Sequence, residues 1–516
     1  MTSRVDTSTS TVFPIAARKE RLSSLLPDNF GSVAPLWIDG HWHLGHARET
    51  LPCIDPTTEE PLIDFAVAGP EDLELAVGAA RRSQRIWWLS DGQDRARVMR
   101  RIADGIRESA VALGTLDTLD AGRPIRDTTT RDAERAARLF EFFAGTTDRL
   151  RGAVVPVQPG RTNLVQWEPI GVVGAITPWN YPLTNAASKI APALATGNAV
   201  ILKPAEESPL SALLLAYVAD RAGLPAGLLN VLNGSGPRLG GAIVGHPQIG
   251  KISFTGSTST GRHIGATAGH LLKSVTLELG GKTGFIVFAD ADLERAADAL
   301  VFSAFNNAGQ TCTAGSRLLI ERSAAAHFTA MIAERIARIQ IGDPLDPDTQ
   351  LGPVISDRHR KIVHGHLLDA SNHGLARLAV PVPTLPETGF FVAPTVFLDV
   401  NPGLNLAQEE IFGPVVTVSE FADEDEALAI ANGTPYGLAT TVWTANLERA
   451  FKISREAQSG LVWINTVHSL HPGSPYGGFK QSGVGHELGS EAVQQHMKAK
   501  SVWIEDHAWQ SPWGLA

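Results

Sequence analysis

One of only two cysteines in this chain sits among small polar residues, in Phe305-Asn306-Asn307-Ala308-Gly309-Gln310-Thr311-Cys312-Thr313-Ala314-Gly315. A structural cysteine behaves as a small hydrophobe within an apolar run, whereas a nucleophilic one needs partial access and neighbours that favour the thiolate. Cys312 has the second setting, although a lone cysteine specifies no reaction by itself. Upstream by 34 residues, Glu278 precedes Leu279-Gly280-Gly281-Lys282. A carboxylate there could deprotonate water or a thiol, and could equally be a surface or helix-capping glutamate. A third candidate is the loop Gly256-Ser257-Thr258-Ser259-Thr260-Gly261, whose backbone N–H groups and helix dipole could face a pyrophosphate. It is neither the Gly-x-Gly-x-x-Gly fingerprint nor a Walker loop, so on physics alone it is only suggestive.

These residues need elements to hold them. From Val172 onward, short apolar strands alternate with helices: Val172–Ile176, Ala199–Leu202, Leu229–Leu232, Lys251–Phe254 and Val275–Leu277. That alternation predicts a parallel, doubly wound sheet, with ligands beyond the C-terminal strand ends. Just past those ends lie Thr177-Pro178-Trp179-Asn180, Lys203-Pro204-Ala205-Glu206 and Gly256-Ser257, where a nucleotide would sit. Upstream, helical spacing of apolar residues predicts amphipathic helices over Glu71–Leu89, Asp94–Leu113 and Arg131–Phe143. Leu36–Trp42 reads as a hairpin turning at Asp39-Gly40, and its His41/His43 pair lacks the further ligands a metal needs.

A second α/β unit carries Cys312, with helices near Leu293–Asn306 and Ala324–Arg338. Its strands are Phe285–Phe288, Arg317–Ile320, Thr395–Phe397 and Leu461–Ile464. Val154–Val157 with Thr162–Trp167 forms a protruding hairpin, and Met497–Ile504 a terminal strand. Open edges of this kind are commonly covered by another subunit. The fold class expected is α/β, with a Rossmann-like parallel-sheet cofactor domain, a second α/β catalytic domain and a small β oligomerisation hairpin. The boundaries are a disordered leader at 1–30, a dinucleotide-binding domain at 31–148 and 170–280, and a catalytic domain at 281–480. The hairpin and C-terminal arm take 149–169 and 481–516.

Composition narrows the function. The 516 residues exceed one simple core, and 44 Lys+Arg against 54 Asp+Glu leave a net charge of −10 that repels nucleic acid and anionic membrane. The chain has no apolar stretch of membrane-spanning length and no signal sequence in its first thirty residues. Two cysteines build no disulfide framework, so the cytoplasm is the expected compartment. A small-molecule enzyme fits, with no metal.

Seven motifs occur together: Thr177-Pro178-Trp179-Asn180-Tyr181-Pro182, Lys203-Pro204-Ala205-Glu206, Phe254-Thr255-Gly256-Ser257-Thr258, Glu278-Leu279-Gly280-Gly281-Lys282, Gly309-Gln310-Thr311-Cys312, Glu410-Ile411-Phe412-Gly413-Pro414 and Pro475-Tyr476-Gly477-Gly478-Phe479-Lys480. In order and spacing, from about Leu36 to Ile504, they resemble the NAD(P)-dependent aldehyde dehydrogenase superfamily. The resemblance implies Cys312 as the nucleophile, Asn180 and the Cys312 N–H as oxyanion donors, and Glu278 as the base. It implies cofactor contacts at Thr177, Trp179, Lys203, Glu206, Gly256, Ser257, Gly280, Glu410 and Phe412. Glu206 beside a ribose 2′-OH would accept its hydrogen bond and repel a 2′-phosphate, which favours NAD, with NADP still possible because Lys203 could compensate. The implied activity is oxidation of a small-molecule aldehyde to the acid by a homodimer or homotetramer. The alternative is a CoA-acylating relative, and Glu278 argues against it because such relatives often lack that base.

Some positions depart from the common pattern. Ser188 stands where many members have tryptophan and Asn185 where a bulky apolar residue is frequent, so a wider or more polar tunnel is expected. Near Val467, His468 and Leu470 there is no aromatic box for a quaternary ammonium, which argues against betaine aldehyde. Tyr476 replaces a usual phenylalanine and His486 a usual arginine.

Overall fold

A computed structural model describes residues 12–27, 30–380 and 384–514. The predicted parallel sheet is present, with Val172–Ile176 at its centre. Ala199–Lys203 and Leu229–Val231 follow on one side, then the chain crosses back to add Lys251–Thr255 and Ser274–Glu278 on the other. The reversal between Val172–Ile176 and Lys251–Thr255 opens a crevice at their C-terminal ends, where a doubly wound sheet takes its ligands. Val172–Ile176 and Ala199–Lys203 are buried at every residue, because helices such as Pro70–Leu89 and Pro182–Ala195 cover the sheet.

Both edges close with antiparallel strands. The Leu36–Ile38 and His41–His43 hairpin joins beside Leu229–Val231. Its turn residues Asp39 and Gly40 have φ of 51° and 80°, a left-handed pair that suits Asp-Gly and matches the strand twist. At the far edge, Gly483–Val484 pairs with Ser274–Glu278. The helix Gly489–Gln495 then packs on Pro182–Ala195. Gly483–Val484, expected with the arm, therefore belongs to the first sheet through backbone pairing that carries no sequence pattern.

The second sheet has six parallel strands in the order Thr395–Phe397, Val415–Phe421, Arg317–Glu321, Gly284–Val287, Ala439–Trp443, Leu461–Ile464. Val415–Phe421 and Ala439–Trp443 were not expected, although both are apolar or β-branched runs. The predicted helix over 94–113 is two helices, Gly92–Glu108 and Ala110–Ala121, broken at Ser109.

The hairpin and the tail were read as separate open edges. They instead pair with each other over nine residues, Met497 opposite Pro169 through Glu505 opposite Arg161, and Ala153–Val155 completes a three-stranded sheet. The leader also differs. Residues 1–11 lie outside the described ones, but Ile15–Leu25 is a helix, not a disordered extension. Its Arg18 is fully buried, with Nη1 2.9 Å from Asp55 Oδ2 and Nη2 2.5 Å from Asp343 Oδ2. That ion triad ties the leader to both halves of the chain, which composition alone does not reveal.

Among the described residues, no helix is long and apolar enough to cross a membrane. His43, His46 and Asp72 bring their ligand atoms within 4.8 Å of one another, but both Asp72 oxygens are engaged. Oδ2 accepts the Gly69 N–H at 2.8 Å and Oδ1 meets His46 Nδ1 at 2.6 Å, so the carboxylate holds the start of Pro70–Leu89.

Candidate active site

Cys312 follows a strained turn. The helix Leu293–Phe305 ends, and Asn307, Ala308 and Gly309 then adopt φ of 54°, 54° and 73°. Consecutive left-handed residues are costly and persist where the surroundings impose them. Here the surroundings are the Glu410–Pro414 segment: a Cβ on Gly309 would lie 2.2 Å from the Gly413 carbonyl oxygen, so only glycine fits. Gln310 locks the turn, its Nε2 donating to Asn307 O at 3.0 Å and its Oε1 accepting the Ile355 N–H at 2.9 Å. Cys312 is thereby presented, half-buried, to a cleft that Asn180 and Glu278 also line.

Asn180 is held from both ends. Its backbone carbonyl accepts from Arg123 Nη1 at 3.2 Å and Asn307 Nδ2 at 2.9 Å. Its side-chain Nδ2 donates one hydrogen to Gln310 O at 3.0 Å, and its Oδ1 accepts from Asn185 Nδ2 at 3.3 Å. The amide orientation is therefore fixed with one Nδ2 hydrogen to spare. Arg123 is itself buried in an ion pair with Asp132 and lies over the Tyr181 ring at 3.9 Å. Tyr181 Oη in turn meets Thr311 Oγ1 at 2.8 Å, next to Cys312.

Glu278 ends the strand Ser274–Glu278, 2% exposed, and among the described residues neither of its carboxylate oxygens has a hydrogen-bond partner. A buried carboxylate left without partners is rare enough to mark a function. Burial pushes its pKa well above the usual carboxylate range, Glu487 adds to the rise and Lys189 opposes it. Glu487 and Lys189 form a buried ion pair with Ser253 and Thr255, and Ser188 Oγ lies 3.2 Å from Glu487 Oε2. The Cys312 thiol is pushed up to about 12, first by burial and then by Glu410 and Glu278, while a Tyr476 hydroxyl 3.2 Å from Sγ pulls the other way. The thiol is neutral at rest and needs a base.

On the sheet side, the Thr177 N–H donates to Lys203 O at 3.0 Å, joining two neighbouring strand ends. Lys203 Nζ, buried, donates to Pro204 O at 2.9 Å, and burial lowers its pKa against the pull of Glu206 and Glu207. The Gly256 N–H bonds Glu278 O at 3.0 Å, and Ser257 caps the helix Thr258–His270 with its hydroxyl exposed. Trp179 meets Phe412 edge to face at 5.3 Å, and His359 Nε2 bonds Phe412 O at 2.7 Å. Glu410 Oε1 accepts the Gly281 N–H at 2.9 Å, and a Cβ on Gly280 would strike Glu410 Oε2 at 2.3 Å. The glycine pair thus lets the Glu410 segment approach; burial lifts the Glu410 carboxyl to about 7.

Cys312, Glu278 and Asn180 therefore share one cleft, and Glu410 and Phe412 meet Gly280 and Trp179 along its sheet side. Gly256 and Ser257 lie beyond the next strand end, and Lys203 and Glu206 beyond the one after Val172–Ile176. Asn185 and Ser188 line the cleft, as their tunnel positions implied, while His486 makes only a backbone bond to Gln495. Sequence reasoning missed the Glu487–Lys189 pair, the Tyr476 hydroxyl as a partner of the thiol, His359 and Arg135. The first is 298 residues apart, so no local pattern announces it.

A model of the aldehyde dehydrogenase family matches residues 42–502. Several solved structures have the same fold. A Burkholderia cenocepacia protein provisionally named an aldehyde dehydrogenase is 41% identical, with 93% of this chain and 99% of that one covered and a TM-score of 0.90. PnpE from Pseudomonas sp. WBC-3, solved in complex with nicotinamide adenine dinucleotide, is 40% identical over 93% and 99% of the two chains, with a TM-score of 0.90. Betaine aldehyde dehydrogenase from Staphylococcus aureus, solved with NAD+, is 36% identical over 93% and 96%, TM-score 0.90. With a family match over most of its length and relatives of this identity, the chain belongs to the aldehyde dehydrogenase family.

Proposed function

We propose that this enzyme oxidises an aldehyde to the carboxylic acid with NAD+, through a thiohemiacetal and a thioester on Cys312. The observation that carries the reading is the cleft itself, which joins a half-buried thiol, a pinned amide and a buried carboxylate with both oxygens unpartnered.

The donor set fits a dinucleotide. Ser257 caps a 13-residue helix with an exposed hydroxyl, and that helix start suits a pyrophosphate. Among the described residues Lys203 Nζ has only the Pro204 carbonyl as a hydrogen-bond partner, and the half-buried Glu206 stands by it for ribose hydroxyls. A carboxylate there disfavours a 2′-phosphate, and two of the relatives above were solved with NAD+. Glu410 and Phe412, with Trp179, Thr177, Gly256 and Gly280, would border the nicotinamide half.

Glu278 takes the thiol proton, directly or through water, and Cys312 Sγ bonds the aldehyde carbon as the carbonyl π pair moves to oxygen. The spare Asn180 Nδ2 hydrogen and the Cys312 N–H hold that oxyanion. A bound NAD+ would supply the acceptor for the hydride that leaves the thiohemiacetal carbon as the oxyanion re-forms the carbonyl, so that the acyl group would stay on Cys312 Sγ as a thioester. Glu278 then deprotonates a water, which adds to the thioester carbon; the C–S bond breaks and releases the acid and the thiol. A raised pKa makes ionised Glu278 a strong base.

Transfer to CoA instead of water would leave Glu278 without the second of its two tasks, the deprotonation of water. The absence of an aromatic box speaks against betaine aldehyde. Two exposed strand edges carrying Val154, Trp503 and Ile504 support pairing with a second copy, as a homodimer or homotetramer, in the cytoplasm. The test is a panel of aldehydes run with NAD+ and NADP+ side by side, with product analysis. NADH and free acid are expected, and Cys312→Ala abolishes both while retaining cofactor binding. Inactivity of folded, cofactor-binding protein on the whole panel, or an acyl-CoA product, overturns the reading.

A further inference from the structure

The cleft around Cys312 contains a charge that the reaction above does not use. Arg135, on the helix Ala133–Ala144, lines the cleft and is half-buried. Its neighbours on that helix and the preceding turn are spoken for. Arg131 pairs with Asp127, and Arg138 pairs with Glu134, which Arg107 also holds. Arg135 has no hydrogen-bond or ion-pair partner among the described residues.

Nothing else in the cleft neutralises it. Of the two carboxylates there, Glu487 is bound by Lys189, and Glu278 is buried at the strand end. His468, whose Nε2 lies 3.2 Å from Ser303 Oγ, is pushed down to about 4, chiefly by burial and then by Arg135, and is neutral at working pH. The lining of the same cleft includes Leu139, Leu470 and Leu488. A chain with net charge −10 thus presents a lone cation on the wall of its reaction cleft. An unpaired, partly desolvated guanidinium is costly and is resolved when an anion arrives.

Resting on the function proposed above, we propose that the substrate is an aldehyde bearing a carboxylate at its far end, and that Arg135 receives that carboxylate while the aldehyde carbon faces Cys312. The planar guanidinium fork matches a carboxylate in two parallel hydrogen bonds, and the leucines accommodate the carbon chain between the two ends. A quaternary ammonium would meet a like charge at the same place.

The experiment compares kcat and KM for a series of ω-carboxy aldehydes of increasing chain length with the methyl ester of each. The wild-type enzyme is expected to favour the acid over its ester by roughly ten- to hundredfold in kcat/KM at the best chain length, through KM. Arg135→Gln removes that preference by raising KM for the acids while kcat and the ester kinetics stay near wild type. Arg135→Lys restores part of it. Equal use of acids and esters by the wild type, or an equal loss on both in Arg135→Gln, overturns the proposal while leaving aldehyde oxidation standing. Absence of turnover on every aldehyde would instead strike the function on which it rests.

Discussion

Tyr476 Oη lies 3.2 Å from Cys312 Sγ, on a segment 164 residues further along the chain. Where the family usually has phenylalanine, this enzyme places a hydroxyl that can donate to the thiolate and so lowers the thiol pKa against the effect of burial. Replacing Tyr476 by Phe raises the thiol pKa further. Inactivation by iodoacetamide at pH 8 is expected to slow by about three- to tenfold, with its pH profile displaced upward. Turnover survives, because no reacting group is lost. An unchanged alkylation profile would show that the hydroxyl does not reach the thiolate in solution.

Glu278 carries two roles that pH separates. Its folded pKa is raised above the unfolded value, so the neutral form is the one folding favours. Stability from this group is complete below the unfolded pKa and declines as pH rises from there toward the folded pKa. Glu278→Gln removes that decline. The variant is expected to melt about 1 °C or more above wild type at pH 8, with the difference shrinking toward pH 5. Turnover falls by about 10²- to 10⁴-fold, and both acylation by the aldehyde and hydrolysis of the thioester slow in single-turnover mass spectrometry. Rapid deacylation in that variant would mean that another group is the base.

The Asn185 to Asn180 hydrogen bond, 3.3 Å long, gives a graded test of the oxyanion site. Asn180→Ala removes a donor and is expected to lower kcat by about 10²- to 10³-fold. Asn185→Leu leaves that donor in place but frees its amide to turn, for a loss of about tenfold or less. Steady-state kcat on one aldehyde ranks the three proteins. A larger loss in Asn185→Leu than in Asn180→Ala would contradict the assigned roles.

Gly309 cannot be replaced. Its φ of 73° and the 2.2 Å approach of a hypothetical Cβ to Gly413 O each oppose any side chain. Gly309→Ala is expected to destabilise the protein by about 2 kcal/mol or more and to displace Cys312. Denaturant unfolding measures the first effect and the alkylation rate of Cys312 the second. A variant of wild-type stability and reactivity would show that the turn relaxes at little cost.

The strand–helix rhythm from Val172 to Glu278 was readable because strands covered on both faces must be apolar throughout, and the Gly-, Thr- and Glu-rich ends mark where they stop. For the same reason the chemistry of Cys312, Glu278 and Asn180 could be listed by residue type and motif order. The leader helix, by contrast, depends on Arg18 finding Asp55 and Asp343, and the pairing of Met497–Glu505 with Arg161–Pro169 joins segments more than 300 residues apart. Long-range backbone pairing and buried ion pairs leave no periodicity in the chain.

By itself, then, the sequence determined the family, through the ordered motifs that carry Cys312, Glu278 and Asn180. Only the tertiary structure decided which groups are left with unmet partners. It stripped Glu278 of hydrogen bonds, set a hydroxyl against the thiol and left Arg135 unpaired in the cleft. Charge and hydrogen-bonding capacity are properties of a residue, but whether they are satisfied is a property of the space around it, and that space is assembled from segments distant in the chain.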